Sequence, residues 1–300
     1  MTSVYQGLYA VLCENYPTFS NAWESARDTN GDVWEREFSE RAGRLFGFTS
    51  NNLWQDAIAG YAEFCTDALR AQVFFERFGH YPATDYLEVT KSCYLDEDYM
   101  NRRYLPGQYL SHYIWPHHYK MMKRFSEVLL NAINEPINLF CEVGVGCGMY
   151  SLQTLLKRQE SKGLGFDISP HSISFTQRVI NAHALNTRYD AYIDDAFSRR
   201  DEFSADLVIS QEVLEHLPNP DEFIEQLRRI VRPRGWGYIT AAINAAHTDH
   251  IYLYRSPEEV ARQLTRAGWE IIDQQIESNY PEKRVEVRPT IAGFLVQSLA

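Results

Sequence analysis

The most restrictive feature of this chain is a glycine-rich turn that follows a short apolar run. Residues 138–143 read NLFCEV, and Gly144, Gly146 and Gly148 follow at alternate positions. Glycine permits a sharp turn and has no Cβ to obstruct a ligand that lies against the backbone. The pattern therefore predicts a buried strand, a tight loop and a helix that opens near Met149. Such a turn is also found where a strand and a helix only need to pack closely.

A second acidic residue follows at the distance expected for a βαβ nucleotide-binding unit. Residues 163–167 are predicted to form the next strand, which ends on Asp167, 23 residues after Gly144. A carboxylate at the tip of the second strand can accept hydrogen bonds from both ribose hydroxyls. The alternative role is a helix cap, but Ser169 and Pro170 already supply the cap and first-turn proline of the next helix.

The third predicted strand, 188–193, leads into a pair of aspartates and two apolar residues. An acid at this position can accept from an adenine amino group, and Asp195 is preferred over Asp194. Ala196 and Phe197 offer apolar contact to the ring. Two adjacent aspartates also fit a solvated turn, so this assignment stays open between the two roles.

The fourth predicted strand, 205–210, is followed by the run QEVLEHL at 211–217. Open α/β sheets bind ligands at the carboxyl ends of their parallel strands. Together with the glycine loop, Asp167 and Asp195, this run resembles the class I S-adenosylmethionine-dependent methyltransferases. The small-molecule branch of that family carries a similar Glu-Val-Leu-Glu-His run. The resemblance covers roughly residues 117–300.

The resemblance implies S-adenosylmethionine as methyl donor and an α/β, Rossmann-like fold. The expected sheet has seven strands, mostly parallel, with an antiparallel last strand. It also implies that the N-terminal region caps the donor site and shapes the acceptor pocket. The predicted donor-binding residues are Glu142, Gly144, Gly146, Gly148, Asp167, Ile168, Asp195, Ala196, Phe197 and Gln211.

The N-terminal region is predicted to be a separate helical module. A polar, turn-rich stretch lies at 28–32, a long helix with one apolar stripe begins at Asn51, and Gly79 stops it. Pro106 and Gly107 predict a further helix break. No convincing strand alternation precedes residue 135. We therefore predict a helical cap domain over 1–115 and a donor-binding core over 116–300.

Two groups of side chains are candidates to face the acceptor. Residues 109–119 contain three histidines and four other aromatic residues, which either pack cap against core or include one or two acceptor contacts. Polar residues after the fourth and fifth strands form the second group. The predicted substrate-contacting residues are Tyr109, His112, His117, His118, Glu212, Asn244 and Tyr252.

Methyl transfer from a sulfonium is an in-line displacement, so the protein mainly orients the nucleophile and removes a proton where the acceptor requires it. His250 is the preferred general base, since a neutral imidazole titrates near working pH. His216 and His247 are further catalytic candidates. The run 247–250 also fits a polar loop whose histidines bond to backbone. It resembles a metal-binding cluster as well, but the spacing is not diagnostic and no metal is predicted.

The amino-acid composition limits which methyl acceptors and which cellular compartment are expected. Lys+Arg 29 against Asp+Glu 40 gives a net charge of −11, which argues against a nucleic-acid acceptor. Five cysteines without paired spacing favour a reducing cytosol, and neither an export signal nor a membrane span is predicted. The expected acceptor is a small aromatic or otherwise apolar molecule, methylated on oxygen, nitrogen or carbon. The sequence leaves the oligomeric state open and is compatible with a homodimer.

Two other functions compete with this hypothesis. A methyltransferase fold can bind its ligand without turnover and activate a partner subunit, although the intact motifs count against this. A dinucleotide-dependent oxidoreductase is disfavoured because Met149 stands where the third glycine of the dinucleotide fingerprint would be. The chain also lacks a second mononucleotide-binding half.

Overall fold

The structure is a computed structural model that describes residues 3–47, 51–195, 205–278, 280, 283–284 and 287–299, with the backbone alone described for 51–53. Within these ranges, seven strands form one sheet. They are β1 (Leu139–Val143), β2 (Lys162–Asp167), β3 (Tyr189–Ile193), β4 (Ala205–Ser210), β5 (Val231–Ile243), β6 (Trp269–Glu277) and β7 (Thr290–Ser298). Their order across the sheet is β3-β2-β1-β4-β5-β7-β6.

The strand directions confirm the predicted fold. β1 pairs in parallel with β2 and β4, β2 with β3, and β4 with β5. β7 runs antiparallel to both of its neighbours, β5 and β6. Every residue of the central strand β4 is buried, as expected where both faces of a sheet are covered. The strand order reverses between β1 and β4, which opens a crevice at their carboxyl ends.

Helices cover the sheet and form the N-terminal region. Those that precede β1 are α1 (Val4–Asn15), α2 (Ser20–Phe46), α3 (Asn51–Phe78), α4 (Tyr86–Val89), α5 (Glu97–Tyr99), α6 (Leu105–Ile114), α7 (Pro116–Arg124) and α8 (Leu130–Ala132). Those between strands are α9 (Met149–Lys157), α10 (Pro170–Ala182), α11 (Pro220–Ile230) and α12 (Pro257–Arg266). The cap of α10 is the one predicted, because the hydroxyl of Ser169 accepts from the amide of Ser172 at 3.3 Å.

The structure tests two predicted interruptions of the N-terminal helices. The turn predicted at 28–32 coincides with a kink in α2, where Gly31 has non-helical backbone angles of φ +72° and ψ −166°. Pro106 does not end a helix but lies in the first turn of α6, where its missing N–H has no intrahelical partner to lose. The first prediction is therefore confirmed and the second is wrong. Gly79 ends α3 as predicted, with φ +76°.

One cluster of buried apolar side chains joins the N-terminal helices to the sheet. It includes Trp34 and Tyr113 from α2 and α6, Phe125 after α7, and Tyr238 from β5. The indole nitrogen of Trp34 donates to the carbonyl of Tyr113 at 3.2 Å. The predicted boundary coincides with the extended residue Trp115 between α6 and α7. Because the core is continuous across it, the division into 1–115 and 116–300 stays a prediction.

Two further properties of the described helices and cysteines can be stated. None of the helices in the described part of the chain is both long and apolar enough to cross a bilayer. All five cysteines, each within the described ranges, carry free thiols.

Trp34→Ala tests whether the N-terminal helices and the sheet unfold together. Trp34 is 1% exposed, so we expect its loss to lower the free energy of unfolding by about 3–5 kcal/mol through cavity formation. The neighbouring Val33 is 66% exposed, and Val33→Ala should change that free energy by less than about 0.5 kcal/mol. Urea denaturation followed by tryptophan fluorescence and circular dichroism measures both. Two separate transitions, with only the first shifted, would show an independent N-terminal domain.

Candidate functional site

The loop after β1 can be built only from glycine at two of its positions. Gly144 and Gly146 adopt φ +76° and +49°, where residues with a Cβ are strained. A Cβ on Gly144 would lie 2.4 Å from Cγ2 of Val213, and one on Gly146 would lie 2.7 Å from Oε1 of Gln108. Val213 and Gln108 can therefore approach the loop this closely only because both positions lack a side chain.

Hydrogen bonds tie this loop to the end of β2. The amide of Gly144 donates to the carbonyl of Phe166 at 2.8 Å, and the amide of Gly146 donates to Oδ2 of Asp167 at 3.1 Å. Oδ1 of Asp167 accepts from the amide of Ser169 at 2.8 Å. Burial raises the pKa of Asp167, and these two amides partly offset that rise. Each carboxylate oxygen retains a lone pair for a ligand hydroxyl.

Glu142 supports the glycine loop from below. One carboxylate oxygen accepts from the amide of Ser151 at 2.8 Å and from the hydroxyl of the same residue. Complete burial raises the pKa of Glu142 to about 8, against the lowering effect of the Ser151 hydrogen bonds. The side chain therefore joins β1 to α9, and it is not among the described residues that line the cleft.

A cleft opens above the loop at the carboxyl ends of the parallel strands. Eight residues that were predicted from sequence line it: Gly144, Gly146, Asp167, Ile168, Asp195, Gln211, Glu212 and His216. Gly148 lies behind the loop, where a Cβ would lie 2.7 Å from Thr176. Ala196 and Phe197, the predicted adenine contacts, lie outside the described residues.

The sequence did not predict the residues that cover this cleft. The N-terminal region contributes Tyr86, Tyr94, Met100, Tyr104 and Gln108. Oε1 of Gln108 accepts from the amide of Cys147 at 2.9 Å, which fixes α6 against the glycine loop. The sheet side adds Val143, Phe166, Ser172, Asp194, Val213, Leu217 and Phe223. The family resemblance implied that the N-terminal region covers the donor site, but it did not indicate which residues of that region do so.

The same part of the chain matches a known family. Residues 141–236 match a family model described as a methyltransferase domain. The match begins within β1 and includes the glycine loop, Asp167 and the run 211–217. The chain contains a class I S-adenosylmethionine-dependent methyltransferase domain.

Curated relatives of this methyltransferase domain are O-methyltransferases. The ubiquinone biosynthesis O-methyltransferase of Cupriavidus pinatubonensis is 25% identical over 156 residues, which make up 44% of this chain and 61% of the relative. The mitochondrial ubiquinone biosynthesis O-methyltransferase of Dictyostelium discoideum is 30% identical over 155 residues, with 48% of each chain covered. The chain thus spans about half to three fifths of the length of these relatives.

Solved structures share the fold at low identity. Phosphoethanolamine N-methyltransferase 2 of Haemonchus contortus, in complex with phosphomonomethylethanolamine and S-adenosylhomocysteine, gives a TM-score of 0.52 at 14% identity, covering 73% of this chain and 61% of that chain. The [4+2]-cyclase SpnF gives 0.50 at 16% identity, covering 59% and 81%. At these identities the likeness shows the fold alone.

S-adenosylmethionine is the cofactor of this methyltransferase domain, and the cleft suits it. The glycine loop presents backbone without side chains, as close approach by a nucleoside requires. Asp167 and Asp195 lie on the same cleft and are suited to accept from hydroxyl and amino groups. The described residues of the predicted donor site therefore lie on one cleft and have the chemistry that a nucleoside requires.

Glu212 lies beyond β4 in a strained conformation. Its φ is +49°, a region that residues other than glycine rarely adopt, and its amide donates to the hydroxyl of Thr240 at 2.9 Å. Burial raises the pKa of Glu212 to about 8. Oε1 makes no hydrogen bond to any described residue, and Oε2 lies 3.9 Å from Nε2 of His118. Strain and an unsatisfied oxygen on a cleft residue indicate a functional group.

The predicted aromatic segment 109–119 divides into packing residues and one residue near the cleft. His118 lies near Glu212 and has Nδ1 2.9 Å from the hydroxyl of Ser111. Burial lowers the pKa of His112 to about 3 and that of His118 well below its ordinary value, so both are neutral. Two of the remaining predicted residues pack in the interior, Tyr109 against Phe46 and Tyr113, and His112 against Tyr150. His117 is half-buried and stacks on Trp115.

The loop after β5 brings the three catalytic candidates together. Nδ1 of His250 lies 2.7 Å from the carbonyl of Ala245, and Nδ1 of His247 lies 2.9 Å from Oδ1 of Asp249. Burial lowers the pKa of His250 to about 3. Among the described residues that line the cleft, the loop is reached through His216, whose ring centroid lies 4.7 Å from that of His250.

Asn244 and Tyr252 flank this loop and support it. Asn244 has φ +50°, and its Nδ2 donates to the carbonyl of Arg255 at 3.2 Å. The amide of Tyr252 donates to the carbonyl of Glu215 at 2.9 Å, and its ring packs on that of Tyr254. Neither is among the described cleft-lining residues, so a contact of either with substrate stays a prediction.

Glu142→Gln tests the buried carboxyl beneath the loop. The folded-state pKa of about 8 lies above that of the unfolded chain, so folding takes up a proton between pH 5 and 8. The contribution of Glu142 to the free energy of unfolding is fully present at pH 4. It is lost as the pH rises toward 8, by at most about 1.4 kcal/mol per pH unit. We expect a flatter profile of unfolding free energy against pH in the variant. Glu160→Gln, at an exposed position, should keep the wild-type slope; a Glu142→Gln slope as steep as wild type would contradict the assignment.

Proposed function

We propose that this chain transfers the methyl group of S-adenosylmethionine to a small organic acceptor. The observation that carries the proposal is that the glycine loop, Asp167 and Glu212 line a single cleft that N-terminal residues cover. When bound, S-adenosylmethionine supplies a methyl group already activated on a sulfonium. The protein then needs to hold both molecules, exclude water and accept a proton.

We assign donor-binding roles to residues from their positions in the cleft. The backbone of Gly144 and Gly146 receives the nucleoside closely, Asp167 accepts from the ribose hydroxyls, and Asp195 accepts from the adenine. Ile168 and Gln211 line the same space. Glu142 and Gly148 shape the loop. Ala196 and Phe197 stay predicted neighbours of the adenine ring.

The covering residues favour an aromatic or apolar acceptor. Tyr94, Met100 and Tyr104 present rings and a thioether to the cleft opposite Glu212. Aromatic faces bind flat apolar groups, and with a carboxylate they also suit an ammonium group. The net charge of −11 disfavours a phosphate-rich macromolecule. The relatives' names are compatible with oxygen as the methylated atom.

We assign proton removal to Glu212. Its pKa, raised by burial, makes the carboxylate a stronger base than an exposed one near neutral pH. Oε1 of Glu212 takes the proton that the substrate loses as it is methylated. The neutral His118 lies beside the other carboxylate oxygen. His216 borders the same cleft as a positioning residue, with His247 and His250 behind it. The sequence-based preference for His250 as base stays a prediction.

Asp167→Asn tests the donor site. We expect weaker binding of S-adenosylhomocysteine by about 1–3 kcal/mol, because charge-assisted hydrogen bonds to the ribose are lost. Asp190→Asn, at an exposed position on β3, should leave the affinity unchanged. Isothermal titration calorimetry measures both. Equal affinities in wild type and Asp167→Asn would place the ribose elsewhere.

Glu212→Gln tests the proposed base. An acceptor is first found by incubating the protein with S-adenosylmethionine and a metabolite extract and measuring released S-adenosylhomocysteine. We then expect kcat to fall by about a hundredfold or more, while donor affinity stays within about twofold. The wild-type rate should rise with pH toward the pKa of Glu212, and the variant should lose that rise. Donor binding without turnover in any extract would instead support a non-catalytic binding module.

A further inference from the structure

Three buried side chains next to the cleft converge on one point. A carboxylate oxygen of Glu215 and a ring nitrogen of each of His216 and His250 lie within 4.8 Å of one another. Glu215 is 0% exposed and His250 is 7% exposed, while the His216 side chain is 11% exposed. We propose that Glu215, His216 and His250 bind a divalent transition-metal ion.

The carboxylate of Glu215 lacks a partner in the described structure. Neither of its oxygens makes a hydrogen bond of ordinary geometry to any described residue. A fully buried carboxylate requires compensation by a cation or by hydrogen-bond donors. A bound cation supplies what is missing.

Backbone contacts prepare both imidazoles for metal binding. Nδ1 of His250 lies 2.7 Å from the carbonyl of Ala245, and Nδ1 of His216 lies 3.1 Å from the carbonyl of Asp249. A proton on Nδ1 satisfies each carbonyl and leaves the lone pair of Nε2 for a metal. Histidine ligands of metals commonly donate their other ring nitrogen to a carbonyl or carboxylate in this way.

A second carboxylate lies behind the histidines. Asp249 is 0% exposed. Its Oδ2 lies 3.4 Å from Nδ1 of His216, and the hydroxyl of Tyr94 donates to the same oxygen at 3.3 Å. A carboxylate beside a ligating imidazole orients the ring and strengthens its bond to a metal.

The two loops that supply these side chains are fixed to each other. The amides of Ile251 and Tyr252 both donate to the carbonyl of Glu215 at 2.9 Å. Two backbone hydrogen bonds therefore join the loop after β4 to the loop after β5. Ligands of a tetrahedral zinc ion lie about 3.3 Å apart when its bonds are about 2.0–2.1 Å, so the side chains must draw together slightly on binding.

Two imidazoles and one carboxylate determine the class of ion. Such a set suits zinc or another first-row divalent transition ion, whereas magnesium and calcium prefer oxygen ligands. Three protein ligands leave at least one coordination position free. Because His216 lines the cleft, that position is available to an acceptor hydroxyl or amine next to Glu212. The metal site goes beyond the proposed methyl transfer, and its binding can be measured without turnover.

Metal titrations of untagged, chelator-treated protein test the site. Calorimetry with Zn²⁺ and absorption spectra with Co²⁺ should show about one ion per chain, with a dissociation constant of about 10 µM or tighter. Glu215→Gln and His250→Gln should weaken binding by about tenfold or more. His183→Gln, at the far end of α10, should bind as wild type. Millimolar Mg²⁺ should not displace Co²⁺.

Controls separate metal binding from folding and from the donor site. Far-UV circular dichroism and calorimetry with S-adenosylhomocysteine are run on each variant, so a misfolded variant is recognised. X-ray absorption of the wild-type zinc protein should show imidazole ligands and no sulfur. Absence of stoichiometric Zn²⁺ or Co²⁺ binding, unchanged binding in both folded variants, a sulfur ligand, or displacement by Mg²⁺ would overturn the proposal. Zinc binding without S-adenosylhomocysteine binding would leave it standing and defeat the donor site instead.

Discussion

The hydrogen bond from the amide of Gly146 to the carboxylate of Asp167, 3.1 Å long, is the contact on which the donor site depends. It joins the loop after β1 to the tip of β2. The bond between the amide of Gly144 and the carbonyl of Phe166 fixes the same two segments. Both glycines adopt positive φ, so the loop reaches Asp167 only because no Cβ is present. The bare backbone and the acid are therefore positioned together, as a nucleoside site requires.

Carboxylates accumulate where the strands end, and the N-terminal helices cover them. Glu142 and Glu215 are buried in this region and Glu212 is half-buried, and burial raises the pKa of each. Asp249 is the exception, because histidines around it stabilise its charge. In a water-excluded site each of these groups interacts strongly with a cation, a proton or a donor. By covering these groups, the N-terminal helices strengthen the electrostatic interactions within the site.

The sheet could be predicted from sequence because its signals are local. β4 was predicted at its observed bounds, and Ser169 and Pro170 began α10 as expected. Such signals could not show that Gln108 would contact the glycine loop, since that depends on how α6 packs on the sheet. The same limit applies to His250, whose burial behind His216 is a tertiary result. At Gly31 the local turn signal was sufficient, since its backbone is non-helical and kinks α2 within the stretch where the sequence predicted a turn.

A crystal structure of the full chain with S-adenosylhomocysteine tests the central claim most directly, because this product keeps the nucleoside and the sulfur of the donor. We predict that the ribose hydroxyls contact Asp167, that the nucleoside lies against Gly144 and Gly146, and that the sulfur faces Glu212. A nucleoside bound away from the glycine loop, or one whose ribose does not contact Asp167, would contradict this account of the site.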